Sequence, residues 1–321
     1  MRKLVKITMF LSVAVFLAAT SFAAEYSGKK ILFIDSYHQG YAWSDGITTG
    51  VKMVVDPTGA QLKIHRMDTK RNGSEDFKVK AAAEAKTIID SWKPDVVIAA
   101  DDNASKYLIA PFYKGGNLPF VFCGVNWNAS GYGFPASNVT GMIEVDDFKG
   151  LVNILRKSAQ GDRIGFIADD TETTRKVVKY AKSVFGYDLD AHYSKDFNDF
   201  QKGFAALQNR TDMVIFYSFG GIKDWNNEMA NEFVNANTKV PTGTFQKEVT
   251  PYVILGFLKI AEEQGHWAAT NALNILDGTS PADIPIAKNS DGNVTVNLSL
   301  SRMAGIEIPY DIVQVAGTVI E

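Results

Sequence analysis

The sequence predicts an α/β protein of two similar lobes, each built around a mainly parallel sheet. Short apolar runs alternate with helix-like segments along the chain. Lys30–Asp35 (KILFID) is almost continuously apolar, as expected for a strand that helices cover on both faces. The same order of segments then occurs a second time, which favours two lobes over the alternative of one long Rossmann-like sheet.

In the first array, segments with the apolar spacing of a helix alternate with segments that have the apolar pattern of a strand. Ser74 opens a long helix, because Phe77, Ala81 and Ala85 follow at helical spacing. The expected elements are a helix at about 43–55, a strand at 61–67, a helix at 74–92, a strand at 96–100 (VVIAA), a helix at 103–113 and a strand (FVFCGV) after Pro119.

The second array repeats the pattern of the first. The run RIGFIA (163–168) mirrors KILFID, and DMVIFY (212–217) mirrors DVVIAA (95–100). Pro241 to Thr244 takes the place of Pro119 to Phe122, and VTGMI (139–143) is a predicted crossover strand. The tail predicts a long helix from about Pro251 to Leu276, a strand at 294–298 and a helical piece near Pro309.

The two lobes are expected to share the tail. We assign residues 24–143 with about 248–285 to lobe one, and residues 144–247 with about 286–321 to lobe two. Joining strands near 141–145 and 244–249 would form a hinge, so we expect the protein to close around its ligand.

The first 23 residues have the pattern of a secretory signal peptide. Arg2, Lys3 and Lys6 precede an apolar run from Ile7 to Ala19. Ser21 and Ala23 then place small residues before a cut at Ala24. The apolar run is shorter than the roughly 20 residues of a membrane anchor. The sequence therefore predicts a secreted, periplasmic protein that starts near Ala24.

Composition and motifs argue against several classes of function. The chain has 33 Lys+Arg and 36 Asp+Glu, for a net charge of -3, so it lacks the basic footprint of a nucleic-acid binder. Its single cysteine, Cys123, excludes an internal disulfide and a Cys-rich zinc site. The four histidines form no H-E-x-x-H, and G-x-S-x-G, Walker A and G-x-G-x-x-G sequences do not occur. We therefore expect no enzyme, no metal and no cofactor.

Candidate binding residues follow the predicted strands, because ligands of open parallel sheets bind beyond the carboxyl ends of the strands. These positions combine aromatic rings, carboxylates, hydroxyls and glycine backbone, a mixture that suits a small polar ligand. In lobe one they are Ser36, Tyr37, His38, Trp43, Asp101, Asp102, Asn126 and Trp127. In lobe two they are Asp170, Thr171, Ser218, Gly220 and Thr244.

Asp101 is the sharpest candidate of this set. It follows five apolar strand residues, so its carboxylate should emerge at the edge of the sheet and pair with a cationic group of a ligand. Asp102 and Asn103 are better placed to cap the next helix. A ligand carboxylate would need Ser36 and N–H groups near Thr171 or Gly220. Tyr37, Trp43 and Trp127 could each stack on a ligand or pack in the core.

The sequence also resembles a known family. The segments that carry the resemblance are SYHQGYAWSDGI (36–47), PDVVIAADDNASKYL (94–108), LPFVFCGVNWNASGYG (118–133), NVTGMIEV (138–145), ILDGTSPADIPI (275–286) and VNLSLSRMAGIEIPYDIVQVA (296–316). They are similar to ABC transporter substrate-binding proteins of the TrpX-like type. The similarity is weaker across 186–250, where YSFGGIKDWNN (217–227) departs from the amino-acid binders.

The resemblance implies a type I periplasmic-binding-protein fold with three hinge crossings and a ligand in the interlobe cleft. It implies a periplasmic, monomeric solute-binding protein that delivers a small molecule, with amino acids among the candidates, to an ABC permease in the inner membrane. The alternative is a ligand-binding sensory adaptor that docks on a membrane signalling receptor. Both functions use the same cleft, and they differ in the membrane partner.

Overall fold

The computed structural model describes residues 25–321, and the chain divides into two units. The first unit contains the chain up to Val145 and the segment Ala261–Asn289, and the second contains Asp146–Ile260 and Ser290–Glu321. The predicted signal peptide lies outside the described residues. Within residues 25–321, every helix is too short or too polar to cross a lipid bilayer.

The first unit is built on a six-stranded sheet in which every pair of neighbours is parallel. The strands run in the order β11-β5-β4-β3-β1-β2. They are β1 (Lys30–Asp35), β2 (Gln61–Arg66), β3 (Val96–Ala100), β4 (Phe120–Asn126), β5 (Val139–Glu144) and β11 (Ala287–Lys288). All five residues of β3 are buried, which explains why its sequence is uniformly apolar.

Helices cover the sheet of the first unit. They are α1 (Ala42–Val55), α2 (Glu75–Trp92), α3 (Asp101–Ala104), α4 (Ala110–Phe112) and α9 (Ala261–Leu276). A π-helical segment, Ser105–Ile109, joins α3 to α4. Ser74 caps α2 as predicted, because its side chain accepts a hydrogen bond from the N–H of Phe77.

Helices α1 and α9 pack with their backbones in close contact. A Cβ atom on Gly50 would lie 2.1 Å from the carbonyl oxygen of Glu262, and one on Gly265 would lie 2.0 Å from that of Ile47. Glycine is therefore required at both positions for the helices to approach this closely. Ile47, Val51, Ala268 and other small apolar residues of the two helices join the core beneath.

The second unit contains a seven-stranded sheet in the order β13-β12-β10-β9-β8-β6-β7. All its pairs are parallel except β10 with β12. The strands are β6 (Ile164–Asp169), β7 (Leu189–Ser194), β8 (Met213–Ser218), β9 (Thr242–Thr244), β10 (Leu255–Lys259), β12 (Gly292–Asn297) and β13 (Thr318–Ile320).

The helices of the second unit begin with side-chain caps in most cases. They are α5 (Phe148–Arg156), α6 (Glu172–Phe185), α7 (Phe197–Arg210), α8 (Asn227–Asn237), α10 (Leu298–Ala304) and α11 (Tyr310–Gln314). Thr171 and Thr174 form a reciprocal capping box at the start of α6. Phe200, Phe204, Phe216 and their neighbours form an aromatic core against the sheet.

The structure confirms the fold class and corrects the prediction for the tail. Residues 25–321 form two separate sheets, so the alternative of one long sheet is wrong. The predicted helix from Pro251 to Leu276 is also wrong in its first half. A 3₁₀ turn (Lys247–Tyr252) and strand β10 precede α9, because the apolar run VILGFL completes the sheet beside β9. Residues 248–260 consequently belong to the second unit, whereas 286–289 belong to the first.

Candidate functional site

Four parallel strands of the first unit end at one edge of its sheet, and the candidate residues gather there. Asp101 follows β3, Asn126 ends β4 and Glu144 ends β5. Tyr37 and Tyr41 lie in the loop after β1, and Trp43 lies in the first turn of α1. These residues and Lys70 line a cavity of about 270 Å³.

Asp101 is the buried acidic group of this cavity. Asp101 follows the last residue of β3 directly and is 2% exposed. Its φ of 69° lies in the left-handed region. The indole N–H of Trp43 donates to Oδ1 at 3.0 Å. Oδ2 is buried without a hydrogen-bond partner among the described residues. A buried acceptor of this kind is costly unless a ligand or water satisfies it.

The surroundings of Asp101 disfavour its charged form. Burial raises the pKa of the Asp101 carboxyl well above its ordinary value, and the charges of Glu144, Asp35 and Asp102 raise it further. The hydrogen bond from Trp43 acts in the opposite direction. Gly124 provides the space, since a Cβ atom there would lie 2.8 Å from Oδ1 of Asp101. These surroundings therefore favour the neutral form of Asp101.

Aromatic rings form a second side of the cavity. The rings of Tyr37 and Tyr41 meet edge to face at 5.5 Å. The ammonium group of Lys70 lies 5.1 Å from the first ring and 5.0 Å from the second. Burial raises the pKa of the Tyr37 hydroxyl, and the charges of Asp101, Asp102 and Glu144 add to the effect. These surroundings keep the Tyr37 hydroxyl protonated, so it can donate a hydrogen bond.

Asp102 is not a helix cap, contrary to the sequence prediction. It accepts hydrogen bonds from the Asn126 amide group at 2.7 Å and from the Tyr132 hydroxyl at 2.8 Å, so it ties two loops together. The amide of Asn103 donates to Thr69 instead of capping. The start of α3 is held by Ser36, which accepts from the N–H of Ala104 at 2.9 Å.

The remaining candidates of the first unit lie near the cavity but do not line it. Ser36 is fully buried, and its hydroxyl donates to the carbonyl oxygen of Ala100 at 2.5 Å, so its roles as donor and acceptor are both filled internally. The His38 ring stacks on Tyr41 at 5.9 Å. Trp127 has a left-handed φ of 59°, and its N–H donates to the carbonyl oxygen of Glu144.

In the second unit, the carboxyl edge is organised by Asp169 rather than by the predicted residues. Asp169 is buried and accepts from the Ser218 hydroxyl at 2.6 Å and from the Gly221 N–H at 2.7 Å. Asp170 pairs with Arg175, and Thr171 caps α6. The predicted positions Ser218, Thr171 and Asp170 thus make contacts within their own unit.

The last two predicted positions of the second unit differ in exposure. Gly220 lies exposed in the turn after β8, with open space where a Cβ atom would point. Thr244 is fully buried at the end of β9, and its hydroxyl accepts from the N–H of Gln246 at 3.1 Å.

The same edge of the second unit also contains an ion pair with a buried carboxylate that the sequence did not predict. Lys259, at the end of β10, places its ammonium group 3.1 Å from Oδ1 of Asp146. The Tyr217 hydroxyl donates to Oδ2 of Asp146 at 2.9 Å. Asp146 is 1% exposed, so this carboxylate depends on both partners for compensation of its charge.

Three cavity residues of the first unit were also missed, namely Tyr41, Lys70 and Glu144. Tyr41 lies four residues after Tyr37 in the same loop, and Glu144 ends a strand. Both residues could have been chosen by the feature that identified the other candidates, a position at or after the carboxyl end of a strand. Lys70 lies beyond β2 in a loop that no motif marks. Within residues 25–321, no group of three or more His, Cys, Asp or Glu side chains is arranged to hold a metal ion.

The two units, each with a mostly parallel sheet covered by helices, define the type I periplasmic-binding-protein fold. The profile of the ABC transporter substrate binding protein family matches residues 38–320, and the chain belongs to this family. The members are transport proteins rather than enzymes, and they deliver a small-molecule ligand to an ABC permease. The comparison with curated proteins returned no match.

Solved structures share the fold at low sequence identity. The chain is similar to a ligand-free, open substrate-binding protein with adhesive properties from Clostridium difficile, with a TM-score of 0.65, 17% identity, and coverage of 91% of this chain and 99% of that one. It is also similar to an ABC domain in complex with L-Trp from Streptococcus pneumonia, with a TM-score of 0.54, 17% identity, and coverage of 92% and 100%. The chain is also similar to a solute binding protein from Bradyrhizobium sp. BTAi1 with bound bis-tris, with a TM-score of 0.54, 14% identity, and coverage of 89% of this chain and 89% of that one.

Proposed function

We propose that this protein captures a small polar ligand at the carboxyl edge of its first unit and delivers it to an ABC permease from the periplasm. The observation that carries the proposal is Asp101, a buried carboxyl group with one oxygen unpartnered among the described residues, in the wall of a cavity of about 270 Å³. A polar ligand that donates a hydrogen bond to this oxygen removes the cost of leaving it unsatisfied.

Amino acids are one candidate class for the ligand. The neighbour from Streptococcus was solved with L-Trp, and the Bradyrhizobium neighbour with the amine bis-tris. An ammonium group would bind Asp101, and the rings of Tyr37 and Trp43 would contact the body of the ligand. The size of the cavity suits a molecule of about the size of an amino acid.

The proposal is tested first by a thermal-shift screen with amino acids and amines. A ligand at 100 times its dissociation constant adds about 2.7 kcal/mol of stability, which is easily measured. Calorimetric titration of Asp101→Asn with any ligand found should then show binding weakened by at least about 30-fold, because removing one partner of a buried charge pair costs roughly 2–5 kcal/mol. Unchanged affinity would remove Asp101 from the site.

Transport and export need tests of their own. Loss of ligand uptake on deletion of the gene, restored by the wild-type gene but not by Asp101→Asn, supports transport. Normal uptake with loss of a ligand-dependent response favours the sensory alternative. Amino-terminal sequencing of the periplasmic protein should give Ala24 as the first residue. An intact Met1 on membrane-bound material would contradict export by cleavage.

A further inference from the structure

We infer that Gln264 is a positioning residue of the cavity in the first unit. Its side-chain amide fixes a bulge in β4 at Gly124, and this bulge fixes the carboxyl group of Asp101 in the cavity wall. The inference rests on the proposed function, because it concerns the same cavity. It adds a residue that is distant in sequence, since Gln264 belongs to α9, whereas the residues that line the cavity all lie before residue 145.

The chain leaves regular strand geometry at two neighbouring positions of the sheet. The register of β3 and β4 pairs Ala100 with Cys123, so Asp101 and Gly124 each come directly after this pair. Both have a left-handed backbone, with φ of 69° and 68°. A Cβ atom on Gly124 would lie 2.8 Å from Oδ1 and 3.4 Å from Cγ of Asp101. The carboxyl group of Asp101 therefore occupies the space that a side chain at position 124 would take.

Gly124 is also part of a β-bulge on the other side of β4. Phe122 pairs with Gly141 and Val125 pairs with Ile143, so two residues of β4 lie opposite one residue of β5. A bulge of this kind locally disrupts the ladder of backbone hydrogen bonds and bends the strand. A buried N–H group at such a position needs an acceptor from elsewhere, because an unsatisfied donor in the core is costly.

Gln264 supplies this acceptor from the helix layer. The residue is fully buried, and its Oε1 accepts a hydrogen bond from the N–H of Gly124 at 2.9 Å. The N–H donor also determines which way round the amide group lies, since the Nε2 group can donate but not accept. The contact therefore fixes the position of the bulge relative to α9.

The helix that carries Gln264 is itself fixed against α1. The next residue, Gly265, lies so close to α1 that a Cβ atom on it would be 2.0 Å from the carbonyl oxygen of Ile47. Helix α1 also carries Trp43, whose indole N–H donates to Asp101. The two packed helices thus hold the site at two points, one on the carboxyl group and one on the bulge beside it.

The test uses variants that remove the acceptor and keep the length of the side chain. Gln264→Met leaves the N–H of Gly124 without this acceptor. Gln208→Met is the matched control, because Gln208 is also a buried glutamine whose Oε1 accepts from backbone N–H groups, those of Lys239 and Val240, but it lies in α7 of the second unit. Gln264→Glu is the conservative variant, since it retains an acceptor oxygen at the same distance from the backbone.

Hydrogen exchange of backbone amides, followed by NMR, measures the link from Gln264 to the bulge. The quantity compared is the exchange rate of the Gly124 amide divided by that of the Ile98 amide in β3, which corrects for unfolding of the whole unit. This ratio should rise by at least about 10-fold in Gln264→Met. It should stay within about threefold of wild type in Gln264→Glu and in Gln208→Met.

The ionisation of Asp101 measures the link from the bulge to the site, and a loss of stability alone would not change it. A carbon-13 NMR titration of labelled aspartate carboxyl groups follows it, and Asp101→Asn identifies the signal. Since burial raises the pKa of Asp101, release of the bulge should lower that pKa by about one unit through better hydration of the carboxyl group. Gln208→Met should leave it unchanged. The titratable groups around Asp101 are the same in these two variants and wild type, namely Asp35, Tyr37, Lys70, Asp102, Cys123 and Glu144.

Two outcomes would overturn the inference. One is an exchange ratio for Gly124 in Gln264→Met that equals the ratio in Gln208→Met, and the other is an unchanged pKa of Asp101 in Gln264→Met. If Gln264→Met does not fold, Gln264→Asn gives the same two readings, because its side chain is shorter by one methylene group. None of these measurements uses a ligand. They therefore test the positioning of Asp101 separately from the proposed function, which the thermal-shift screen tests.

Discussion

The indole N–H of Trp43 donates a hydrogen bond of 3.0 Å to Oδ1 of Asp101, and it links the first turn of α1 to the end of β3. It is the only hydrogen bond from a side chain to this carboxyl group among residues 25–321. Trp43 also packs against the core of the first unit. The residue therefore fixes the position of the acidic group and connects it to the scaffold.

Trp43→Phe should destabilise the protein by about 1–3 kcal/mol, because it leaves both oxygens of a buried carboxyl group without a donor. Urea unfolding monitored by circular dichroism measures the effect. Trp92→Phe is the control, since it makes the same change in a half-buried ring that contacts the ammonium groups of Lys30 and Lys63. Equal losses in the two variants would show that ring size, not the hydrogen bond, sets the cost.

Asp101→Asn should change how stability depends on pH. The raised pKa of Asp101 means that the folded protein holds a proton to a higher pH than the unfolded chain does. The stability from this group is therefore complete below the unfolded pKa of about 4 and is lost as pH rises through the folded pKa. The free energy of unfolding of the variant, relative to wild type, should increase from pH 4 upward. A curve for Asp101→Asn that runs parallel to that of wild type would contradict the buried, protonated state.

Gly124→Ala should destabilise the first unit by about 1 kcal/mol or more and weaken ligand binding. The position has a left-handed φ of 68°, and the added methyl group would lie 2.8 Å from Oδ1 of Asp101. Gly131→Ala is the control, because open space surrounds that position and the change should stay within about 0.5 kcal/mol. Thermal unfolding and titration with the ligand found in the thermal-shift screen measure both effects. Wild-type binding by Gly124→Ala would mean that Asp101 tolerates displacement.

Lys259→Met should cost about 3 kcal/mol, because it leaves the buried carboxylate of Asp146 with the Tyr217 hydroxyl in place of a cation. The double variant with Asp146→Asn should recover most of the loss. Lys157→Met is the control, since the pair of Lys157 with Asp311 is exposed and should contribute less than about 1 kcal/mol. Denaturant unfolding of the four proteins decides the matter, and a loss that the double variant does not recover would contradict the ion-pair explanation.

The fold was predictable because apolar strands of parallel sheets are easily recognised. Runs such as KILFID and VVIAA occur as β1 and β3 with the expected bounds to within a residue. The error at 251–276 has a local cause. The segment VILGFL is apolar at nearly every position, which suits a buried helix as well as a strand, and only its pairing with β9 and β12 decides for the strand.

The candidate site was predictable in part, because position after a strand is visible in the sequence and side-chain partners are not. Asp101 and Tyr37 line the cavity as their positions suggested. Ser36 also follows a strand directly, but its hydroxyl does not face the cavity wall as a free group. It donates to the carbonyl oxygen of Ala100 and accepts from the N–H of Ala104 in α3. Lys70 could not have been chosen, since its approach to two tyrosine rings depends on the path of a loop after β2.

The division of each unit into separate stretches of chain sets the order in which the protein can be completed during synthesis. The first unit gains helix α9 only when residue 276 has been made, although its first five strands are finished by residue 144. Until then, the face of the sheet and of α1 that α9 covers stays open, with Ile47 and Val51 uncovered. The second unit waits for β12 and β13, near residue 320. The core of the first unit therefore cannot be completed before residue 276 has been synthesised, and the sheet of the second unit cannot be completed before about residue 320.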